Sequence, residues 1–329
     1  VTWVLATAGA LLLGILTNFV YDLVKNQGGK LPARFDRRSL PPAARRYDST
    51  QDGLTALVTW SRSRRLSQES LVTAFAGRLS RPHLMAGETW DAEVARLVAE
   101  GKAGRTAYIS ALQVDTYEHE HARKFRVTIA ESSYAEALAA SHLYRMDDWA
   151  ARVSEGLARG LTSFVPVAPP SSLTVSVSVL SAENRILALR RSLSVQTYPG
   201  QWTVGINETM KYDDEPGAAE DFFALTYRGL KEELGLDRGD YGPVVLSWLG
   251  WSHRAVCWVL VAVVRSTLTS GEIDERRSNC HSVYEHDAIR WLPFTRTEIA
   301  KIVTGEGKGP WSYLAPLLAV ETWRNRDSL

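Results

Sequence analysis

Between Glu220 and Leu236 the chain sets its apolar residues on one helical schedule and its charges on another. Phe223, Tyr227, Leu230 and Leu234 recur at spacings of four, three and four, which lines them along one face of an α-helix. Gly235 follows as a helix stop, because glycine takes the left-handed conformation that ends a helix without a Cβ penalty. The pattern predicts a helix over Gly217–Leu236, with its charged residues opposite the stripe. Glu232 and Glu233 follow position 229 by three and four residues and so project near it, two adjacent carboxylates suited to a hard divalent cation. Arg228, one turn before Glu232, is placed to hold a carboxylate through paired hydrogen bonds. The bland alternative is a solvated helix face carrying an i,i+4 ion pair.

The flanking segments read as strands. Leu173–Leu180 alternates, Ser181–Asn184 turns the chain, and Arg185–Arg190 returns, which makes a hairpin. Beyond the helix, Pro243–Trp251, Ala255–Val264 and Ile289–Leu292 read as strands, and Thr297–Val303 and Trp311–Trp323 as helices. That order suits an α/β domain with a mixed sheet between helices.

Here a resemblance becomes specific. The Nudix signature runs G-x5-E-x7-R-E-U-x-E-E-x-G-U, with U a bulky aliphatic residue. Glu220, seven residues, then Arg228, Gly229, Leu230, Lys231, Glu232, Glu233, Leu234, Gly235 and Leu236 resemble it at every position from the first glutamate onward except Gly229. Gly200–Val204 is similar to the strand that leads into the Nudix loop. The resemblance covers Leu173–Trp323 and implies a Nudix-type α/β/α sandwich occupying residues 171–329. It further implies a hydrolase that cleaves a diphosphate bond in a nucleoside diphosphate-linked substrate, with Mg2+ or Mn2+ held by Glu232, Glu233 and Glu220. Glu233, Glu232 and Arg228 are then the catalytic candidates, and a nucleotide-like small molecule is the expected ligand.

Two departures bear on activity. Gly229 stands where the family has a metal-binding or catalytic glutamate, and Asp214 stands where the signature has its first glycine. Glu208, Asp213, Asp214 or Glu215 would supply the missing ligand, and Glu272, Glu275 or Glu285 the glutamate that family members often take from a later loop. The same loss admits a rival, a catalytically impaired Nudix-fold module that senses a nucleotide-like ligand and signals through the membrane. Trp248, Trp251 and Trp258 either stack on a nucleobase or fill the core.

The amino-terminal end is of another kind. From Trp3 to Val24 the chain is apolar apart from Asp22, and as a helix it would extend about 33 Å, enough to cross a bilayer. Lys25, Lys30, Arg34, Arg37, Arg38, Arg45 and Arg46 follow, and the positive-inside bias puts the rest of the chain in the cytoplasm. The expectation is a single-pass anchor over residues 1–24 and a basic, proline- and glycine-containing linker over residues 25–47 that would also meet anionic headgroups. A buried core helix and a cleaved signal peptide are the rivals, but no basic n-region or small-residue cleavage site is evident. Ala8, Gly9, Ala10 and Gly14 would permit close helix pairing in a homodimer, although no GxxxG motif occurs.

Residues 48–170 read as an α+β region. Helices are expected at Gly53–Ser61, Ser67–Leu79, Trp90–Glu100, Ala135–Leu143 and Asp147–Leu161, and a strand at Lys124–Ile129. His119 and His121 alternate as metal ligands on a strand would, but with no third ligand they read as exposed loop residues. Pro169 and Pro170 mark the boundary. With 38 basic and 37 acidic residues the chain has no global drive toward nucleic acid, and Cys257 and Cys280 alone build no disulfide framework or zinc module.

Overall fold

The structure is a computed structural model that describes residues 48–60, 66–79, 88–116, 123–144, 155–156, 158–159, 169–195, 198–212, 220–280, 284–306 and 309–329. The apolar stretch Trp3–Val24, the basic linker, His119, His121, Asp213, Asp214, Glu215 and most of Asp147–Leu161 lie outside the described residues. Among the described residues no helix is long and apolar enough to cross a membrane.

The architecture is mixed α/β. Its main sheet has the path β1 (Leu54–Thr59), β9 (Val245–Ser252), β10 (Cys257–Arg265), β5 (Leu173–Leu180), β6 (Arg185–Arg191), β11 (His286–Pro293). Two short strands lie off this path: β7 (Trp202–Val204) on β6 and β8 (Ile206–Thr209) on β5. Only β10 and β5 run parallel; the remaining pairs are antiparallel, so the sheet is mixed. The expected hairpin pairs only at Leu180 and Ile186, because β5 and β6 then splay and admit β8 and β7 between them.

Period-two alternation sorts the side chains onto two faces. On β5, Leu173, Val175, Val177 and Val179 join one core; on β10, Trp258, Leu260, Ala262 and Val264 join the same one. Cys257, Val259 and Val261 face the second core. The first core is covered by α3 (Phe222–Leu234), which buries Phe222, Phe223, Leu225, Leu230 and Leu234, and by α4 (Ser270–Arg277) beside it. Each fully buried Leu or Phe there contributes about 1.5–3 kcal/mol. The second core is covered by α5 (Arg296–Thr304) and α6 (Ala315–Asn325).

Asp221 starts α3 by accepting a hydrogen bond from the Ala224 N–H, and Gly235 ends it at φ 68°. The described helix thus begins five residues later than Gly217. Tyr227 is only half-buried, so the predicted stripe is sound along three of its four members.

The first part of the chain contributes to this sheet. The helix expected over Gly53–Ser61 is instead β1, paired antiparallel with β9 from Leu54↔Ser252 to Thr59↔Trp248. The helix expected over Ser67–Leu79 is a short 3-10 turn at Gln68–Ser70 followed by β2 (Leu71–Phe75). In both, apolar residues at helix-like spacing satisfy a sheet partner, and tertiary pairing overrides the local pattern. β2 runs parallel to β4 (Arg123–Ser133), which pairs antiparallel with β3 (Arg105–Thr116) in a second sheet. α1 (Glu88–Ala99) and α2 (Tyr134–Leu143) accompany it, close to the expected helices. Val127, Ile129 and Phe125 enter the same core as α3, and the Ala107 N–H donates to the Met210 carbonyl across 3.3 Å.

Trp248, Trp251 and Trp258 are all buried, at 2% exposure or less, and Trp251 meets Trp258 edge-on with ring centroids 5.6 Å apart. The core role holds for all three; none offers a face to a base.

Candidate active site

On the α3 side of the sheet, Glu233 comes under the charges of two carboxylates from other elements. Glu233 comes from α3, Glu208 from β8, and Glu285 from the segment just before β11. Glu233 is 4% exposed and neither of its carboxylate oxygens has a hydrogen-bond partner. Burial pushes its pKa well above the usual carboxylate range; the nearby charges of Glu208 and Glu285 add to this, against a lesser lowering by Arg191 and the Asn207 backbone N–H. A buried, unpartnered carboxylate costs several kcal/mol, so it must carry a proton or meet a cation. The nearest base, His286 Nδ1, stands 3.7 Å from Glu233 Oε2. His286 is itself buried, which with Arg191 and Arg277 drives its pKa down to about 3, so it supplies no positive charge at neutral pH.

Glu285 has a raised pKa, through burial first and then Glu208, partly offset by Arg191. Arg191 Nη2 lies 3.7 Å from Glu285 Oε2.

Arg228 organises the other side. Its Nη1 donates to Glu208 Oε1 at 2.7 Å, its Nε pairs with Glu220, and its Nη2 donates to Glu220 Oε2 at 3.0 Å and to the Thr209 carbonyl at 2.8 Å. Burial opposes its charge, but Glu220 and Glu208 outweigh that and raise its pKa.

Gly229 faces β8. A Cβ built there would lie 2.9 Å from Glu208 Cβ and 3.4 Å from both Glu208 Cγ and Ile206 Cδ1. The first distance is closer than non-bonded carbon atoms approach, and Glu208 Cβ is fixed to a strand, so the glycine makes room for Glu208.

No family model matches the chain. An isopentenyl-diphosphate Delta-isomerase of Kocuria rhizophila is 36% identical over 103 residues, 29% of this chain and 54% of that protein. The match therefore spans about half the length of that relative. Solved structures similar to this chain include the MutT protein of Methanosarcina mazei, at 18% identity and TM-score 0.31, covering 48% of this chain and 96% of that one. The MutT Nudix hydrolase of Burkholderia pseudomallei aligns at 17% and 0.29, covering 46% and 96%. The Nudix domain of Shewanella oneidensis NrtR, complexed with ADP ribose, aligns at 16% and 0.29, covering 47% and 86%. The box residues themselves lie on a capped helix that packs against a mixed sheet. By its box residues the carboxy-terminal region resembles the Nudix superfamily.

Within this Nudix-like region the box residues part company. Successive helix residues are about 100° apart around the axis, and the structure uses that angle to separate Glu232 from Glu233. Glu232 is 44% exposed on the outer face, 3.2 Å from Lys211 Nζ and 3.4 Å from Arg228 Nη1. Glu233 turns inward, contrary to the expectation that every charge lies opposite the stripe. Glu220 pairs with Arg228 rather than joining Glu233. Of the open alternatives for further carboxylates, Glu208 and Glu285 are the ones whose charge acts on Glu233. Glu272 is engaged in capping α4, where it accepts from the Thr269 N–H at 2.7 Å. Arg191 and His286 were not singled out from the sequence. No local spacing marks either one, since β6 and β11 bring them together only by pairing, through His286↔Arg191.

Among the described residues no group of three or more His, Cys, Asp or Glu side chains stands ready-made around a metal position. The donor chemistry nonetheless fits a hard cation. Oxygen-only ligands are what Mg2+ and Mn2+ take, and a divalent ion is the natural compensation for the orphaned Glu233 oxygens.

Proposed function

We propose that this chain is a Nudix-type hydrolase that cleaves a diphosphate bond in a nucleoside diphosphate-linked substrate with Mg2+ or Mn2+. The observation that supports it is the buried Glu233 carboxylate, without a well-formed hydrogen bond and under the charges of Glu208 and Glu285. The metal, when bound, neutralises the negative charge of a diphosphate bridge. Glu233, Glu208 and Glu285 would hold it. Arg228 orients Glu208 and Glu220, so that one guanidinium fixes two carboxylates. Arg191 lies 3.7 Å from Glu285 and braces it. His286, uncharged, lets Glu233 keep its affinity for a cation instead of spending it on an imidazolium ion pair. Glu232, exposed beside Lys211, is left to meet solvent or substrate.

The nucleotide part of the substrate is inferred from the Nudix resemblance, and the diphosphate part is common to the name of the Kocuria rhizophila relative. Gly229 favours a second reading, in which the domain binds such a ligand without turning it over. The stretch Trp3–Val24 would anchor either form, with the bulk of the chain on the cytoplasmic side.

The deciding experiment incubates the full chain with Mg2+ and a panel of nucleoside diphosphate-linked compounds, with isopentenyl diphosphate included. Metal-dependent release of a nucleoside monophosphate, lost in Glu233→Gln, is the expected result. Binding without turnover would replace the hydrolase with the sensor. Sedimentation with membranes of the full chain, but not of one lacking residues 1–47, is the expected behaviour of the anchor; a soluble full chain would refute it.

A further inference from the structure

Gly229 is the one position at which the helix departs from the signature after Glu220, and it is also where a Cβ on the helix would run into β8. The two facts concern the same volume. Glu208 Cβ and Cγ occupy the space into which a side chain at position 229 would grow. The carboxylate at the end of that stem is 15% exposed and held by Arg228, the residue immediately before Gly229. Its recorded bonds, to Arg228 Nη1 and from the Thr209 N–H at 3.1 Å, both fall on Oε1. Its neighbour across the site is Glu233, which is at least nine-tenths buried and has neither oxygen satisfied.

We infer that Glu208 on β8 supplies, through the room left by Gly229, the carboxylate that the helix itself lacks at position 229, so that the two residues form an exchanged pair: glycine on the helix, glutamate on the strand. The inference rests on the proposed function, since it concerns a ligand for the divalent cation. It explains why glycine is kept in mid-helix at a cost of about 1 kcal/mol relative to alanine. A helix residue with any Cβ would push β8 away; a strand residue without a carboxylate would leave Glu233 facing only Glu285.

The test is a Mn2+ titration of the full chain followed by electron paramagnetic resonance, alongside thermal melts without metal. Glu208→Gln, close in shape, is expected to weaken Mn2+ binding about tenfold or more while melting near wild type. Gly229→Glu alone is expected to melt lower, because its Cβ meets Glu208 Cβ. The double variant Glu208→Gly with Gly229→Glu is expected to relieve that loss and to bind Mn2+ more tightly than Glu208→Gly alone. Wild-type binding that Glu208→Gln leaves unchanged, or an exchanged variant no better than Glu208→Gly, would overturn the inference and leave the hydrolase reading standing. A wild type that binds no Mn2+ would overturn the hydrolase reading and the inference together. The melts separate the two, since they read the steric exchange without any metal.

Discussion

Among the described residues three glutamates are almost fully buried, and two of them are treated very differently from the third. Glu136, 3% exposed, takes Arg78 Nη2 at 2.6 Å and the Ser133 N–H at 2.9 Å, closing the capping box of α2. Glu321 on α6, also 3% exposed, takes Arg324 Nη1 at 2.5 Å. Glu233 on α3 has no well-formed hydrogen bond on either oxygen, and the Asn207 N–H approaches it as a donor. A satisfied buried carboxylate needs no explanation beyond structure, whereas an unsatisfied one must carry a proton or be completed by a cation. The contrast also separates the two faces of the main sheet. Under α6 Thr322 Oγ1 pairs with Ser178 Oγ at 2.7 Å, while under α3 Glu233 comes under the like charges of Glu208 and Glu285.

The largest expected effect falls on activity. Glu233→Gln should reduce metal-dependent turnover by about 100-fold or more and leave the metal-free melting temperature unchanged or higher, because it removes a charge that the fold does not satisfy. Loss of stability in step with activity would place Glu233 with the structural glutamates. Glu136→Ala should do the reverse, costing about 1–3 kcal/mol in urea denaturation with turnover per folded molecule retained. Glu321→Ala should cost less, about 1–2 kcal/mol, since its partner Arg324 is 38% exposed and screened by water. Thr322→Val, which strands Ser178, should cost about 1 kcal/mol.

Acid titration sharpens the same contrast. His286 has a folded pKa of about 3 against 6.5 when unfolded, so the unfolded chain binds the extra proton and stability is lost as pH falls below 6.5 toward 3. Glu233 is shifted upward from 4.5, so its contribution runs the other way, with stability lost as pH rises above 4.5 toward the raised value. Between pH 4.5 and 6.5 the two slopes oppose each other. Metal-free urea midpoints should therefore fall more steeply with acid in Glu233→Gln than in wild type, and less steeply in His286→Gln. Parallel profiles for all three would show that these groups do not titrate as their surroundings require.

What was readable in advance follows the range of the interactions involved. The helix carrying the box, strands β5, β6, β9 and β10, and helices α1, α2, α5 and α6 all announce themselves through local periodicity or caps. β1 and β2 do not, because Leu54, Leu57 and Val58 fit a helix spacing as well as a strand, and only the distant partner β9 decides. β7 and β8, three and four residues long, are too short for any period to show. α4 was missed although the Thr269–Glu272 capping box marks its start, since its mean hydropathy is low and only Ser270 and Ile273 are buried. In the site, Glu233 and Arg228 were evident from spacing. Glu208 and Glu285 could only be held among alternatives, because the choice depends on which strand packs against Gly229 and which loop returns over α3.

The central claim is that the orphaned carboxylate is one wall of a divalent-cation site. Anomalous diffraction from crystals of the chain soaked in Mn2+ tests it most directly. The account predicts one peak among Glu208, Glu233 and Glu285, absent in Glu233→Gln. A peak seated instead on Glu232 and Glu220 at the outer face of the helix, or none at all with Glu233 still unpartnered, would contradict it.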